Sequence, residues 1–279
     1  MRKVIALLTD FGIKDPYVGM MKAVITSINP EAVIIDLTHD VPKYSILWGA
    51  HILKISYKYF PKGTIFTVVI DPGVGSSRRA IIIESTNYLF VGPDNGVLIP
   101  AAKDDGILRV YEIKADVAGL PQISYTFHGR DIFAPTAAYL SLGIKPSSLG
   151  KPIPKENLVT TEELPKEPQR INEYEVITKV VHIDDFGNLI LSTNLSYLKQ
   201  LLKVDVGDLV SIKVVNKDGS YVARVCRTFS EVAEGELAVY EGSYRLAEVA
   251  VFKGSASRLL SVNVGDELII SRSTPSKNR

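Results

Sequence analysis

The sequence reads Ile70-Asp71-Pro72-Gly73-Val74-Gly75-Ser76-Ser77-Arg78-Arg79 at the end of an apolar run that begins at Ile65. The run predicts a buried strand, and the proline and glycines after it predict a sharp turn of the backbone. Open α/β sheets present reactive groups at the carboxyl edge of their strands. The stretch therefore predicts such a sheet with Asp71 and the two arginines at its edge. A tight turn with a solvated ion pair is the alternative interpretation.

Strands and helices alternate through the first half of the chain. Further apolar runs predict strands over residues 4–8, 32–37, 80–84 and 88–91. Helical spacing begins near Asp15, Tyr44 and Asp131, and Asp15 is a candidate cap of the first helix. We predict an α/β N-terminal domain over residues 1–150, with a mostly parallel central sheet flanked by helices.

The pattern changes after residue 150. Residues 151–172 are polar and rich in proline, which predicts a linker. Beyond them, short strand-like runs alternate with glycine turns, and this pattern favours a small antiparallel barrel or sandwich. We predict an all-β, barrel-like C-terminal domain over residues 173–279.

Composition excludes several classes of function. Lys and Arg total 32 against 31 for Asp and Glu, so no broad positive field attracts nucleic acid or an anionic membrane. The one cysteine, Cys226, excludes an internal disulfide and a Cys-based zinc cluster, and we expect a buried thiol. The first apolar run is too short for a signal peptide, and no stretch approaches the ~20 residues that span a bilayer. We expect a cytoplasmic protein.

Several polar residues of the first half stand where chemistry is expected. Asp10 follows the first strand and could accept both hydroxyls of a ribose, or it could mark the start of a helix. His128 stands at a predicted helix N-terminus, where an anion is favoured. With Asp71 and one arginine it would hold a water or an anionic group.

Known nucleotide and metal motifs do not occur in the sequence. It has no Gly-x-Gly-x-x-Gly fingerprint and no Walker lysine, which sets aside dinucleotide and NTP binding. The four histidines lack metal-helix spacing, so we predict no catalytic metal. The glycine loop at residues 73–75 leaves a phosphate-binding hydrolase as a weaker alternative.

Two motifs of the second half could contact a small molecule. Asp184-Asp185-Phe186-Gly187-Asn188 offers carboxylates for an ammonium group and amide donors for a carboxylate, as in a free amino acid. An Asp-rich hairpin turn is the alternative. Gly254-Ser255-Ala256-Ser257 could let an adenine ring approach the backbone closely, or it could be an ordinary glycine turn.

The ordered set of motifs resembles one known family. Leu8-Thr9-Asp10-Phe11-Gly12, Asp71-Pro72-Gly73-Val74-Gly75, Gly92-Pro93-Asp94-Asn95-Gly96, residues 127–135 and residues 184–188 are similar to the S-adenosyl-L-methionine (SAM) hydroxide adenosyltransferases, relatives of the fluorinases and chlorinases. The family's fold is an α/β domain followed by a β-barrel. The resemblance implies hydrolysis of SAM to adenosine and methionine, without a cofactor, in trimers that hold the ligand between neighbouring subunits.

The resemblance also implies roles for individual residues. Asp71, Arg78 and His128 correspond to the family's water-handling triad, with Arg79 as a rival to Arg78 and with the base either Asp71 or His128. Halide-using relatives carry an aromatic residue at the position of Asp71, which favours water over halide as the nucleophile. The implied substrate-binding residues are Asp10 at the ribose, Tyr44 as a lid, Asp184, Phe186 and Asn188 at the methionine end, and Asp15, Asn95, Phe127, Ser243, Tyr244, Glu248 and Ala256. The halogenases place a tryptophan at the position of Ile190. SAM-dependent halogenation and a non-catalytic SAM or adenosine sensor remain the alternatives.

Overall fold

The computed structural model describes residues 3–114 and 124–273. The chain forms two compact units, Met1–Glu163 and Leu164–Arg279. Residues 151–172, predicted as a linker, contain the last strand of the first unit and the first strand of the second. The domain limits at residues 150 and 173 stay predictions. In the described part of the chain, no helix is both long and apolar enough to cross a membrane.

A seven-stranded sheet is the centre of the first unit. In chain order its strands are β1 (Val4–Thr9), β2 (Val33–Thr38), β3 (Ile65–Val69), β4 (Ala80–Ser85), β5 (Leu89–Pro93), β6 (Ile107–Ile113) and β7 (Gly150–Ile153). Their spatial order is β2-β1-β3-β5-β4-β6-β7. The first four in this order are parallel, and β4, β6 and β7 add antiparallel pairs. The predicted α/β architecture is confirmed.

Helices cover both faces of the parallel strands. They are α1 (Tyr17–Ile28), α2 (Ile46–Ser56), α3 (Ile99–Asp105), α4 (Ala134–Ser141) and α5 (Pro146–Leu149). Within β3, Ile65 and Val69 pack in one core cluster, and Phe66 on the other face stacks on the ring of Phe90 with centroids 5.3 Å apart. Because both faces are buried, β3 is apolar throughout and not alternating.

Two helix starts differ from the sequence prediction. Asp15 does not cap α1, because Pro16 occupies the N-cap position and Asp15 lies exposed before it. The helix predicted to open at Asp131 instead starts with a π-helical turn, Gly129–Phe133, that leads into α4. Asp131 is fully buried inside this turn, where its carboxylate accepts hydrogen bonds from the Ser124 N–H and the Arg130 guanidinium. The Asp131 carboxylate therefore forms hydrogen bonds inside the turn and does not cap the helix.

A closed β-barrel forms the second unit. Its strands are β8 (Gln169–Asn172), β9 (Glu175–Ile183), β10 (Leu189–Leu191), β11 (Leu209–Val214), β12 (Tyr221–Val225), β13 (Leu237–Glu241), β14 (Ala247–Val251) and β15 (Glu267–Arg272), with helices α6 (Leu195–Leu202) and α7 (Ala256–Leu260). The order β10-β14-β13-β12-β11-β15-β9 closes where β9 pairs with β10, and β8 adds to β9 outside the ring. The predicted barrel is confirmed, but it is not wholly antiparallel, because β12 and β13 pair in parallel. Cys226 is buried as expected.

The backbones of β5 and β3 approach each other closely at Gly92, and substitution there tests the packing of the sheet. A Cβ at Gly92 in β5 would lie 2.5 Å from the Val68 carbonyl oxygen, whereas a Cβ at Gly19 in α1 would meet open space. We expect Gly92→Ala to lower the free energy of unfolding by about 1–3 kcal/mol, because the strands must separate. The control Gly19→Ala should raise it by about 0.5–1 kcal/mol. Urea unfolding measures both, and a Gly92→Ala protein as stable as the wild type would contradict the close approach.

Candidate active site

The carboxyl edge of the parallel strands gathers the polar motifs of the first unit. The strands β1, β3 and β5 are adjacent and parallel, and Asp10, Asp71 and Asn95 follow their ends. The antiparallel strand β4 begins at this same edge, which brings Arg78 and Arg79 to it. The topology thus places residues that are far apart in sequence along one edge.

One guanidinium joins Asp71 to His128. Arg78 donates from Nη2 to Asp71 Oδ2 at 2.5 Å and from Nε to Asp71 Oδ1 at 3.0 Å. The same Nη2 lies 2.6 Å from His128 Nδ1. The side chains of Arg78 and Asp71 are only 10% and 5% exposed, so the ion pair is largely withdrawn from water. The face of the Phe133 ring lies 5.4 Å from the Arg78 guanidinium carbon.

The contact with Arg78 decides the protonation of His128. A guanidinium has only donors, so His128 Nδ1 must accept and its proton must reside on Nε2. Burial lowers the pKa of His128 below its ordinary value of 6.5, and the positive charge of Arg78 lowers it further, against opposing effects of Asp71 and Asp131. His128 is therefore neutral at pH 7 and presents an Nε2–H donor.

Arg79 is engaged elsewhere. Its Nε donates to Asp94 Oδ2 at 2.8 Å, and its Nη2 donates to the Asn157 carbonyl. Asp94 is buried and also accepts from the Val159 N–H at 3.0 Å. Of the two adjacent arginines, it is Arg78 that contacts the other two members of the predicted triad.

Asp10 and Tyr44 are brought together at the neighbouring strand end. The Tyr44 N–H donates to Asp10 Oδ2 at 2.8 Å, and the Lys43 ammonium donates to the Asp10 carbonyl. Asp10 is buried, whereas the ring of Tyr44 is 71% exposed. Tyr44 adopts a left-handed φ of 65°, which is uncommon for a residue with a Cβ. The predicted lid residue is thus held through its backbone and leaves its ring free.

Asn95 is tied into the backbone around it. Its side-chain Nδ2 donates to the Ile70 carbonyl at 2.8 Å, and its Oδ1 accepts from the Val97 N–H at 3.2 Å. The side chain thus links the turn after β5 to the end of β3.

Phe127 and Asp15 lie in different surroundings. The ring of Phe127 packs edge-to-face against Phe11 and Tyr17, with centroids 5.9 and 5.2 Å away. Asp15 lines a depression that also contains Asp36 and His39. Phe11, in the loop after β1, and Tyr17, the first residue of α1, were not predicted as site residues from the sequence.

The second unit contains a cavity of about 930 Å³ lined by residues from its two candidate motifs. It brings together five of the predicted residues: Asp184, Phe186, Asn188, Ser243 and Glu248. Tyr244 and Ala256 do not line it. The Tyr244 ring instead lies edge-to-face on His182, and Ala256 is fully buried at the start of α7.

The 184–188 loop is a rigid wall of this cavity. Asp184 Oδ1 accepts from the backbone N–H groups of Phe186 and Asn188, and Oδ2 accepts from the Asn188 amide. A Cβ at Gly187, where φ is +84°, would lie 2.1 Å from Ser255 Oγ. The loop is thus held by its own aspartate and pressed against the start of α7, while the ring of Phe186 stays 79% exposed.

A buried carboxylate faces the same cavity. Glu248 is 5% exposed and accepts a hydrogen bond from the Tyr240 hydroxyl at 2.8 Å. Burial raises the pKa of Glu248, the charge of Asp184 raises it further, and the Tyr240 bond opposes both. Burial likewise raises the pKa of the Tyr240 hydroxyl.

Several residues of the cavity were missed by sequence reasoning. The rings of Phe229, Tyr240 and Phe252 form an aromatic wall, and Lys253 and Arg258 add positive charge. No short motif marks them, because barrel register brings them together. Among residues 3–114 and 124–273, no group of three or more His, Cys, Asp or Glu side chains could hold a metal ion.

Two family models match the sequence. The model of the SAM hydroxide adenosyltransferase N-terminal domain matches residues 5–150. The model of the SAM hydroxide adenosyltransferase C-terminal domain matches residues 178–269.

Similar proteins carry two names, one for relatives at 34–38% identity and another for more distant ones. The chain is 38% identical over 265 residues to a protein of Thermus thermophilus named (R)-S-adenosyl-L-methionine hydrolase, covering 92% of this chain and 95% of the relative. A protein of Methanocaldococcus jannaschii with the same name is 34% identical over 274 residues, with 96% and 95% covered. A fluorinase of Nocardia brasiliensis is 25% identical over 224 residues, with 72% and 74% covered.

Solved structures share the fold over the whole length. The crystal structure of an uncharacterized conserved protein from Thermotoga maritima matches with a TM-score of 0.82 and 40% identity, covering 96% of this chain and 100% of the other. That of a conserved hypothetical protein from Thermus thermophilus matches with a TM-score of 0.71 and 34% identity, covering 97% and 100%.

The contact between Arg78 and His128 should affect the pKa and the tautomer of His128, which NMR can measure. His128 should titrate below 6.5 and carry its proton on Nε2 when neutral. Arg78→Ala should raise the His128 pKa, because burial then remains as the one effect that lowers it against Asp71 and Asp131. NMR titration of the histidine ring signals measures both, with His128→Gln to assign the resonance. An imidazole that is still charged at pH 7 in the wild type would contradict the geometry.

Proposed function

This chain belongs to the SAM hydroxide adenosyltransferase family, and we propose that it hydrolyses SAM to adenosine and L-methionine. The observation that carries the proposal is the Arg78 guanidinium shared by Asp71 and His128 at the carboxyl edge of the sheet. The names of the relatives at 34–38% identity agree with it. Those names specify the (R)-sulfonium diastereomer, and we extend that specificity to this protein.

The two units offer different chemistry to the two ends of SAM. In this proposal Asp10 accepts the ribose hydroxyls, with Tyr44 as lid and with Asp15 and Phe127 as further contacts. In the second unit, Asp184, Phe186, Asn188, Ser243 and Glu248, which line the cavity, contact the methionine end or the adenine. Tyr244 and Ala256, which do not line it, carry no ligand contact in this proposal. The aromatic wall and the buried acid of the 930 Å³ cavity support a ligand that is flat in one part and cationic in another. Trimers that hold SAM between neighbouring subunits complete the proposal.

The chemistry requires a placed nucleophile more than an acid. The sulfonium of SAM leaves as a neutral thioether, so no proton has to be delivered to it. A water oxygen forms a bond to the ribose C5′ as the C5′–S bond breaks, and the bonding pair stays on the methionine sulfur. The water loses one proton, and the products are adenosine and methionine. The step depends on holding the oxygen about 3–3.5 Å from C5′ and in line with the sulfur.

The shared guanidinium suggests how the three residues divide this work. Arg78 stabilises negative charge that develops on the water oxygen. His128 donates from Nε2 and cannot accept a proton there while Arg78 occupies its Nδ1. Asp71 therefore takes the proton in this proposal. Its negative charge also offsets the charge of Arg78, so the site does not attract a halide ion strongly.

The proposal also covers cofactors and location. We propose that it uses no metal and no cofactor and that it takes place in the cytoplasm.

Isotope labelling tests the reaction itself. Purified protein with (R)-SAM in oxygen-18 water should form adenosine that carries the label at its 5′-hydroxyl, together with unlabelled methionine. Mass spectrometry after chromatography detects both, with (S)-SAM as the slower comparison substrate and with a chelator as a control that should not affect the rate. Tight SAM binding with no turnover would support the sensor alternative, and turnover only with chloride or fluoride would support the halogenase.

Substitutions in the triad should separate chemistry from binding. Asp71→Ala and His128→Ala should lower kcat by about 10²–10⁴-fold with little change in SAM affinity, because both act on the water and not on the substrate. Arg79→Ala should lower kcat less, since Arg79 contacts Asp94 and does not act on the water directly. The control is Arg109→Ala, whose side chain is 71% exposed. Single-turnover kinetics with equilibrium binding measures the effects, and full activity in both Asp71→Ala and His128→Ala would refute the assignment.

A further inference from the structure

Two consecutive residues hold the loop of residues 71–78 at its entry and at its exit. At the entry, Asn95 Nδ2 donates to the carbonyl of Ile70, at 2.8 Å. At the exit, Arg79 Nε donates to Asp94 Oδ2 at 2.8 Å, and the Asp94 N–H donates to the Arg79 carbonyl at 2.9 Å. The turn after β5 therefore contacts the residue before Asp71 and the residue after Arg78.

The Ile70 carbonyl depends on this contact. β3 ends at Val69, so Ile70 lies beyond its strand pairing, and Ile70 is fully buried. A buried carbonyl requires a hydrogen-bond donor, and Asn95 supplies it from a side chain. The peptide group that Asn95 holds is the one that joins Ile70 to Asp71. Its orientation sets the direction in which Asp71 leaves the sheet.

The contact at Arg79 constrains Arg78 through the backbone. The bonds between Arg79 and Asp94 hold the backbone next to Arg78, and the two neighbouring guanidinium groups have different partners, Asp71 for Arg78 and Asp94 for Arg79. The Asp94 carboxylate is 1% exposed, and a buried charge of this kind is stable only when it is fully paired. The Val159 N–H on its other oxygen and the Asn157 carbonyl on Arg79 complete the pairing.

We propose that Asp94 and Asn95 are positioning residues that set the geometry of the Asp71–Arg78 pair, and through it the contact of Arg78 with His128. The role deepens the proposed hydrolysis and rests on it. It assigns a function to the Gly92–Gly96 motif, and it gives Asn95 a role that does not require contact with SAM. Loss of a residue that only binds substrate lowers the affinity for adenosine. Loss of a residue that only positions the pair lowers kcat and changes the pKa of His128.

A matched pair of asparagines provides the test. Asn95 follows β5 and Asn87 precedes it, and the Asn87 amide donates to Asp105 Oδ1 at 2.8 Å in a similar turn contact. We expect Asn95→Ala to lower kcat by about ten- to hundred-fold, the loss typical of a misplaced reacting group, with adenosine affinity changed by less than about threefold. Asn87→Ala should leave kcat within about threefold of the wild type.

A readout without substrate keeps this test separate from the proposed reaction. Burial lowers the pKa of His128, and of the charged groups that face it, Arg78, Asp71 and Asp131, only Arg78 lowers it further. When Arg78 is less firmly held, the His128 pKa should rise toward 6.5 in Asn95→Ala and stay unchanged in Asn87→Ala. NMR titration measures this whether or not the protein hydrolyses SAM. Failure of the wild type to turn over SAM would therefore refute the proposed function alone.

Two results would overturn the positioning role. One is an Asn95→Ala protein with the kcat and the His128 titration of the wild type. The other is a loss of adenosine affinity as large as the loss of kcat with the His128 pKa unchanged, which would make Asn95 a substrate contact. If Asn95→Ala does not fold, Asp94→Asn is measured in its place, because it keeps the side-chain shape and removes the charge that holds Arg79. The same loss of kcat and the same rise of the His128 pKa are expected.

Discussion

The site in the first unit depends on the largely buried guanidinium of Arg78, which donates to two acceptors, Asp71 and His128. Arg78 and Asp71 are withdrawn from solvent, and a buried ion pair is tolerated only when its geometry is good and its remaining hydrogen bonds are made. Three separate elements must therefore converge within hydrogen-bond distance. They are the end of β3, the start of β4 and the turn that begins at His128. The alternation of parallel and antiparallel strands in the sheet is what allows the first two to share an edge.

The carboxylates of Asp71, Asp184 and Glu248 show how different partners give one chemical group different properties. Asp71 is paired with a cation, Asp184 accepts backbone and amide donors of its own loop, and Glu248 has a neutral tyrosine hydroxyl. The first lies beside a proposed water, and the second holds a loop in shape. Burial raises the pKa of the third. An ammonium or sulfonium near Glu248 would favour its ionised form.

Sequence reasoning succeeded where one segment carries the information and failed where distant segments meet. The uninterrupted apolar run before Asp71 was enough to predict β3, because burial on both faces removes any alternation. The resemblance assigns Arg78 with Arg79 as its rival, and two adjacent arginines cannot be told apart by local sequence. The cap predicted at Asp15 was wrong because Pro16 takes that position. The π-helical turn at His128 has the same local pattern as an α-helix start. The contact of Asn95 with Ile70 depends on strand order, which a single segment does not contain. The roles of the site residues stay predictions.

The two outer strands of the first sheet differ in how they meet another chain. β7 carries Lys151 and Pro152, and a proline offers no N–H to an incoming strand. β2, at the other side, pairs only with β1 in the described part of the chain, and its Val33 and Ile35 are each 38% exposed. Extension of the sheet by a second polypeptide is therefore blocked at β7 and sterically open at β2. β2 is therefore a strand from which β-aggregation can grow. In the described part of the chain β8, which lies outside the closed ring, pairs only with β9 and is exposed throughout, so the second unit adds another such strand.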